Sequence, residues 1–263
     1  MGRWLVVSMI AMSLSACAFT DKPTPQIGAP GLAEISTQAS DGVTVFATTY
    51  FADLPDTAPL ILLFHQGRSN ARAEYAPLIP WLHENDFRVI AWDLRAGGDI
   101  YGLANRTADA MLPEEASSYC EGYWDMQAAL EASLPFTSSG EAIIWGSSYS
   151  GALVFHLAAD NPEAVSGVVS ASPASGSPMA ECLARARLDD LKSPTLVLRP
   201  ASEMTRESAQ TQKSLFDAAS VPVLIFENGI HGSSMLVDAR TEADMSDPRA
   251  AVMAWLTLVQ DPS

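Results

Sequence analysis

Residues 142–155 read AIIWGSSYSGALVF, an apolar run that meets a cluster of small residues and then becomes apolar again. The first four residues are apolar on both alternating faces, which is typical of a strand buried in the middle of a parallel sheet. The amphipathic stretch 149–160 predicts a helix directly afterwards. A strand that turns directly into a helix puts one residue in a strained position, and small neighbours must lie two residues before and after it. Ser148 has that position, between Gly146 and Ser150.

Short aliphatic runs alternate with longer amphipathic stretches on both sides of this segment. The pattern predicts a single α/β domain with a mostly parallel eight-stranded sheet and helices on both faces. The first two strands carry Thr and Ser between apolar residues, which favours an antiparallel edge hairpin. The segment 99–118 has no predicted regular structure and is a candidate for a small lid. The predicted strands are 33–38, 43–51, 59–65, 87–92, 141–146, 165–171, 194–199 and 221–226, and the predicted helices are 72–85, 119–133, 149–160, 206–219 and 247–259.

The N-terminus has the pattern of a bacterial signal peptide, in which a cation precedes an apolar run too short to span a bilayer. The run ends in LSAC, residues 14–17, which resembles the lipobox of bacterial lipoproteins. We therefore expect residues 1–16 to be removed and Cys17 to carry the lipid. The polar, proline-rich residues 17–30 would then form a tether, and residues 31–263 the domain. An ordinary signal peptide with an incidental Cys17 is the alternative.

The cellular compartment follows from the same motif. Ala18, and not Asp, follows the expected lipidated residue, Cys17, which in enteric-type bacteria implies sorting to the outer membrane. We expect a lipid-anchored protein of the cell envelope, on the periplasmic face of that membrane. Disulfides persist there, so Cys120 and Cys182 either form an intramolecular bridge or stay unpaired.

The segment around Ser148 also carries the first catalytic motif. GSSYSG, residues 146–151, is a variant of Gly-x-Ser-x-Gly that has Ser150 in the last place. It resembles the nucleophile elbow of the α/β-hydrolase superfamily, especially the cap-less esterases and dienelactone-hydrolase-like members. The resemblance implies an α/β-hydrolase fold without a large cap and Ser148 as the nucleophile. Taken alone, the hexapeptide is also compatible with a structural Ser/Gly turn.

A serine hydroxyl needs a base within hydrogen-bond reach, and the base needs an orienting carboxylate. His231 lies in the glycine-flanked loop ENGIHG after the last predicted strand, at the sheet edge where such folds gather catalytic groups. The family order of Ser, acid and His implies that His231 is the base. PTLVLRPASE, residues 194–203, resembles the family segment that ends in the acid, which implies Glu203. Asp238 and Asp217 are the alternatives.

The oxyanion of a tetrahedral intermediate needs two preorganised backbone donors. One is expected from Tyr149, the residue after the nucleophile. FHQGRS, residues 64–69, resembles the family's oxyanion segment and implies the N–H of Gln66 as the second donor, with His65 structural. Arg68 either contacts substrate or is solvated.

Four motifs in the family's order, over about residues 40–260, predict a serine hydrolase that cleaves small carboxylic esters through a covalent acyl-enzyme. A peptidase or thioesterase of the same fold is an alternative, as is a catalytically silent α/β-hydrolase-like envelope lipoprotein used for binding. Metal-ligand spacings, dinucleotide fingerprints and phosphate loops are absent from the sequence, so we expect no cofactor or metal. The net charge of −16 would repel phosphate backbones and argues against a nucleic-acid partner.

Overall fold

A computed structural model describes residues 26–27, 32–51, 54–112 and 118–260. The predicted signal peptide, Cys17 and most of the predicted tether lie outside the described residues. The described part of the chain has one nine-stranded sheet, formed by β1 (Gln26–Ile27), β2 (Leu32–Gln38), β3 (Thr44–Tyr50), β4 (Leu60–Phe64), β5 (Arg88–Asp93), β6 (Ala142–Ser147), β7 (Val165–Ala171), β8 (Thr195–Pro200) and β9 (Val223–Phe226). Their order in the sheet is β1-β2-β3-β5-β4-β6-β7-β8-β9.

The eight predicted strands are present as β2 to β9, with small differences at their ends. β2 and β3 form the predicted antiparallel hairpin, and all neighbours from β5 to β9 are parallel. Gln26 and Ile27, which the sequence assigned to the tether, pair antiparallel with β2 and add a ninth strand. Two residues are too short for a side-chain periodicity to predict, whereas an open sheet edge can pair with any extended backbone.

Helices cover both faces of the sheet, as predicted. They are α1 (Ala71–Tyr75), α2 (Ile79–His83), α3 (Arg106–Ala110), α4 (Gly122–Ser133), α5 (Tyr149–Asp160), α6 (Glu207–Ala218), α7 (Asp238–Thr241) and α8 (Ser246–Gln260). One apolar core contains side chains of α4, α5 and α6, and a second core on the other face contains side chains of α1, α2 and α8. In the part of the chain that the structure describes, every helix is too short or too polar to cross a membrane.

The predicted helix 72–85 is divided into α1 and α2. Pro77 lies between them and Pro80 lies in the first turn of α2. Proline removes a backbone donor and disfavours the helical conformation of the residue before it, so the helix is interrupted here.

Part of the candidate lid, residues 99–118, is bound to the sheet. The Thr107 hydroxyl donates to the carbonyl of Asp93 at 2.6 Å, and the Asn105 amide donates to the carbonyl of Leu94 at 3.1 Å. Both polar side chains are buried, so α3 is held against the end of β5. Residues 113–117 lie outside the described residues. Between β7 and β8 the chain forms only short 3₁₀ turns, which agrees with the prediction of no large cap.

β6 passes into α5 through a very close backbone contact. A Cβ atom at Gly146 would lie 2.4 Å from the carbonyl oxygen of Ser150, so only glycine fits without a shift. The Ser150 hydroxyl is fully buried and accepts the N–H of Ser147 at 2.8 Å. It also lies 2.9 Å from the carbonyl oxygen of Phe64, at the end of β4. Ser150, which occupies the last position of the Gly-x-Ser-x-Gly motif, therefore connects this turn to β4.

Cys120 and Cys182 form a disulfide with an S–S distance of 2.03 Å and a Cα–Cα distance of 5.7 Å. It joins the residues just before α4 to the connection between β7 and β8. The two cysteines are 62 residues apart in sequence. Closing a loop of this length restricts the unfolded chain more than the folded one.

We expect Ser150→Ala to lower the free energy of unfolding by about 1–3 kcal/mol, because the buried N–H of Ser147 would lose its acceptor. Urea denaturation measures the change. Ser138→Ala, at an exposed position, is the matched control and should leave the stability unchanged. Equal stability of the two variants would contradict the role given to the Ser150 hydroxyl.

We expect the double variant Cys120→Ser, Cys182→Ser to unfold with a free energy lower by about 4 kcal/mol, from the loop-closure entropy of the unfolded chain. Urea denaturation without reductant measures it. Wild-type protein unfolded in the presence of reductant should match the variant. The account of the disulfide fails if the oxidised wild type and the variant have the same midpoint.

Candidate active site

The predicted site residues come together at the carboxyl edge of the sheet. Ser148 follows β6, Glu203 lies in a 3₁₀ turn directly after β8, and His231 lies in the loop after β9. Parallel strands present their carboxyl ends at the same edge, so residues distant in sequence become neighbours there.

Ser148 has a strained backbone, with φ 61° and ψ −112°. Such a conformation costs a non-glycine residue about 1–3 kcal/mol and persists only where the surroundings impose it. Its N–H donates to the carbonyl of Ala171 at 2.8 Å, and its carbonyl accepts the N–H of Ala174 at 3.0 Å. The segment that follows β7 thus fixes Ser148 from one side, while its side chain stays partly exposed.

Ser148, His231 and Glu203 form one hydrogen-bonded chain. His231 Nε2 lies 2.9 Å from Ser148 Oγ, and His231 Nδ1 lies 2.5 Å from Glu203 Oε1. The alternative acids, Asp238 and Asp217, form surface ion pairs elsewhere. The geometry therefore selects Glu203 as the carboxylate that can orient the imidazole.

Glu203 is 7% exposed and is held as a carboxylate. Burial raises its pKa, but the hydrogen bond and charge of His231, the charge of Arg199 and a hydrogen bond from Ser172 outweigh burial and leave the pKa below its ordinary value. Arg199 Nη1 donates to Glu203 Oε2 at 2.5 Å, so the two carboxylate oxygens have different partners. An ionised Glu203 accepts the Nδ1–H of His231 and leaves Nε2 free to accept a proton from Ser148.

Arg199 is a site residue that the sequence analysis did not identify. It lies in β8, is 3% exposed, and donates through Nη2 to the carbonyl of Pro173 at 2.7 Å. Nη2 also contacts the Oε1 atom of Gln212. A cation inside the otherwise apolar run PTLVLRP is the signal that was available, because charged side chains are buried only when they are paired.

Tyr149, the first predicted oxyanion donor, begins α5. Its N–H has no acceptor within its own helix, because the first N–H groups of a helix lack a preceding turn. The Tyr149 side chain is buried and stacks on Tyr119, with 4.8 Å between ring centroids. The backbone of Tyr149 is thus anchored beside Ser148, with a donor available to a ligand.

Gln66, the second predicted donor, has its N–H engaged elsewhere. This N–H donates to Glu74 Oε2 at 2.8 Å, so it is not free to bind an oxyanion. The buried His65 ring donates from Nδ1 to the carbonyl of Gln66 at 2.7 Å and accepts the N–H of Leu94 at Nε2, also at 2.7 Å. The C=O and N–H of one peptide point in opposite directions, so the N–H of Gly67 points away from the buried ring. Gly67 therefore replaces Gln66 as the candidate second donor.

The cleft around these residues is open. The His231 side chain is 51% exposed, and Arg68 in the loop after β4 is exposed as well. Within the described ranges, no group of three or more His, Cys, Asp or Glu side chains is arranged to hold a metal ion.

Solved structures similar to this chain include an esterase, a putative dienelactone hydrolase and a peptidase. The Pyrococcus furiosus esterase Pf2001 is 13% identical, with a TM-score of 0.67 over 91% of this chain and 97% of that chain. A putative dienelactone hydrolase from Klebsiella pneumoniae is 16% identical, with a TM-score of 0.61 over 86% and 99%. An acylaminoacyl peptidase from Pyrococcus horikoshii is 13% identical, with a TM-score of 0.63 over 90% of this chain and 42% of that chain. At these identities the likeness shows the fold alone.

No curated protein sequence matches the chain. The family model described as "alpha/beta hydrolase fold" matches residues 59–204, which is more than half of the chain and includes β4 to β8, Ser148 and Glu203. By this match and by its sheet, the chain belongs to the α/β-hydrolase family.

Proposed function

We propose that this protein is a serine hydrolase that cleaves carboxylic esters through a covalent acyl-enzyme at Ser148. The observation that carries the proposal is the hydrogen-bonded chain from Ser148 Oγ through His231 to Glu203. A serine hydroxyl becomes a nucleophile when a base accepts its proton during attack, and the distance of 2.9 Å from Oγ to His231 Nε2 allows that transfer.

The reaction has two steps. Ser148 Oγ attacks the ester carbonyl while its proton passes to His231 Nε2, and the tetrahedral intermediate collapses when His231 returns that proton to the leaving alcohol. Water then attacks the acyl-enzyme with His231 again as the base, which releases the carboxylic acid and restores Ser148. Glu203 stabilises the imidazolium at each stage and keeps Nε2 directed at the reacting oxygen.

The developing oxyanion would be bound by the N–H groups of Tyr149 and Gly67. Two such donors, fixed before the reaction, stabilise the transition state without reorganisation, and losing one costs about 3–4 kcal/mol in related cases. His65 acts as a positioning residue here, since its ring holds the peptide between Gln66 and Gly67.

Two observations support esters as the substrate class. The similar structures include proteins named esterase and dienelactone hydrolase, and ester cleavage needs nothing beyond the groups described. The acylaminoacyl peptidase shares the fold as well, so the fold alone does not choose between ester and amide. An intact triad geometry also argues against the catalytically silent lipoprotein.

We further propose that the protein is attached to the cell envelope by a lipid at Cys17, with the domain in the periplasm. The sequence LSAC supports this proposal, and so does the disulfide between Cys120 and Cys182, because such bonds persist in oxidising compartments.

We expect a fluorophosphonate probe to label the wild-type protein and to leave Ser148→Ala unlabelled, because the probe reacts only with an activated serine. In-gel fluorescence measures the labelling. Ser138→Ala, which removes an exposed hydroxyl, is the matched control and should be labelled like the wild type. Folded wild-type protein without labelling would favour the catalytically silent alternative.

We expect Glu203→Gln to lower kcat for an aryl ester on the order of a thousandfold or more, with a small change in KM, because the amide no longer stabilises the imidazolium. Glu203→Asp should recover part of the rate, since it restores the charge one methylene shorter. Steady-state kinetics on variants with a verified circular dichroism spectrum measures both. A folded Gln variant with the wild-type rate would remove Glu203 from the mechanism.

A further inference from the structure

We propose that the site prefers esters whose leaving alcohol carries a carboxylate, and that a cavity beside His231 binds this carboxylate through Arg206. This inference rests on the proposed function. The cavity has a volume of about 200 Å³ and lies between the segments that follow β7 and β8 and the start of α6. Its lining includes Ser172, Arg199, Glu203, Arg206, Ser208 and His231.

The position of the cavity assigns it to the leaving alcohol. Gly67 follows β4, which pairs with one side of β6, whereas the cavity is formed by segments after β7 and β8 on the other side. In the proposed mechanism the ester carbonyl oxygen would bind the Tyr149 and Gly67 amides, and Gly67 lies on the β4 side of Ser148, opposite to the cavity. His231, which must return its proton to the leaving oxygen, lines the cavity itself.

Arg206 is a second cation at this cavity, at the start of α6. Acidic side chains outnumber lysines and arginines by 31 to 15 in this chain. Six other arginines form ion pairs: Arg72, Arg95, Arg106, Arg187, Arg199 and Arg249. Arg206 pairs with no acid of the described residues, although it is exposed at the mouth of the cavity. Four other described arginines, Arg68, Arg88, Arg185 and Arg240, also form no ion pair with the described residues, but Arg206 is the one of these five that lines the cavity beside His231, where it can receive an anion from outside.

The buried side of the cavity has a further positive charge. Arg199 neutralises Glu203, yet its Nε atom is buried and has no hydrogen-bond partner in the described part of the chain. Burial lowers the pKa of Arg199, Glu203 raises it, and the nearby charge of Arg206 lowers it again, leaving it below its ordinary value. Arg199, Arg206 and Glu203 thus line the same cavity with two positive charges and one negative charge, and a second anion would balance them.

The amino end of α6 adds to the positive charge at the cavity. Arg206 is the N-cap residue of this twelve-residue helix and provides no side-chain hydrogen bond to its first turn. Glu207, in the first turn, already offsets part of the positive charge of this helix end, and a bound carboxylate would be attracted by the remaining helix charge and by Arg206. Ser208, in that first turn, lines the cavity with a hydroxyl donor.

Two acetate esters test the proposal. One is para-acetoxybenzoate, whose leaving alcohol carries the carboxylate, and the other is its neutral methyl ester. We expect the wild type to favour the anionic ester in kcat/KM, and Arg206→Gln to lower the ratio of the two values about tenfold, as expected for one lost charge-assisted hydrogen bond. The two esters differ in intrinsic reactivity, but this difference is the same for every protein variant. It therefore cancels when the anionic-to-neutral ratio of kcat/KM is compared between wild type and Arg206→Gln. The Arg206 side chain is exposed, so its replacement should not prevent folding.

Lys192→Gln is the matched control. It removes one exposed cation at the amino end of β8, the opposite edge of the sheet, and so changes the net charge equally. Its ratio should equal the wild-type ratio. A fall of the same size in Lys192→Gln would show long-range attraction instead of a subsite and would overturn the proposal.

The outcomes separate this inference from the proposed function. Hydrolysis of both esters with an unchanged ratio in Arg206→Gln overturns the subsite and leaves the hydrolase intact. If neither ester is hydrolysed, the ester-hydrolase proposal fails. Calorimetric binding of para-hydroxybenzoate then tests whether the cavity binds a carboxylate. Binding to the wild type that weakens about tenfold in Arg206→Gln supports the cavity, and equal binding or none contradicts it.

Discussion

Ser148 keeps a backbone conformation with φ 61° that few non-glycine residues adopt, and the rest of the site is arranged around it. The strain persists because several parts of the fold act on the same turn. Gly146 allows the strand and helix backbones to pass, Ser150 connects the turn to β4, and Ala171 accepts the N–H of Ser148. The result is a hydroxyl that projects from the sheet edge at hydrogen-bond distance from His231.

The electrostatics of the site depend on the charged and polar side chains that follow Ser148 in the hydrogen-bonded chain. His231, Arg199 and Ser172 together keep Glu203 ionised in the turn after β8. Glu203 holds one nitrogen of His231, and the other nitrogen faces Ser148. The buried Glu203 carboxylate is stable because each of its oxygens has a charged or polar partner. Arg199 offsets the charge of Glu203, so Arg206 leaves the adjacent cavity with a net positive charge, and the same cavity edge serves both the chemistry and the proposed selection of an anionic alcohol.

The sequence predicted most of the fold because alternation and apolar runs directly encode strands buried in a parallel sheet. It also predicted that Ser148, Glu203 and His231 meet, because each follows a strand whose carboxyl end lies at one edge. It did not predict β1, whose two residues carry no pattern, or the break of the helix at Pro77. The sequence predicted the N–H of Gln66 as the second oxyanion donor, whereas in the structure this N–H binds Glu74. The orientation of a single peptide depends on the tertiary contacts of His65 and Glu74, which a sequence motif does not contain.

The proposed mechanism requires that the Ser148 hydroxyl becomes covalently acylated. Rapid quenching after mixing with an activated aryl acetate, followed by intact-protein mass spectrometry and peptide mapping, tests it most directly. The account predicts one added acetyl group per chain during turnover, located on the peptide that contains Ser148. Turnover without a covalent adduct, or an adduct that maps to another residue, would contradict it.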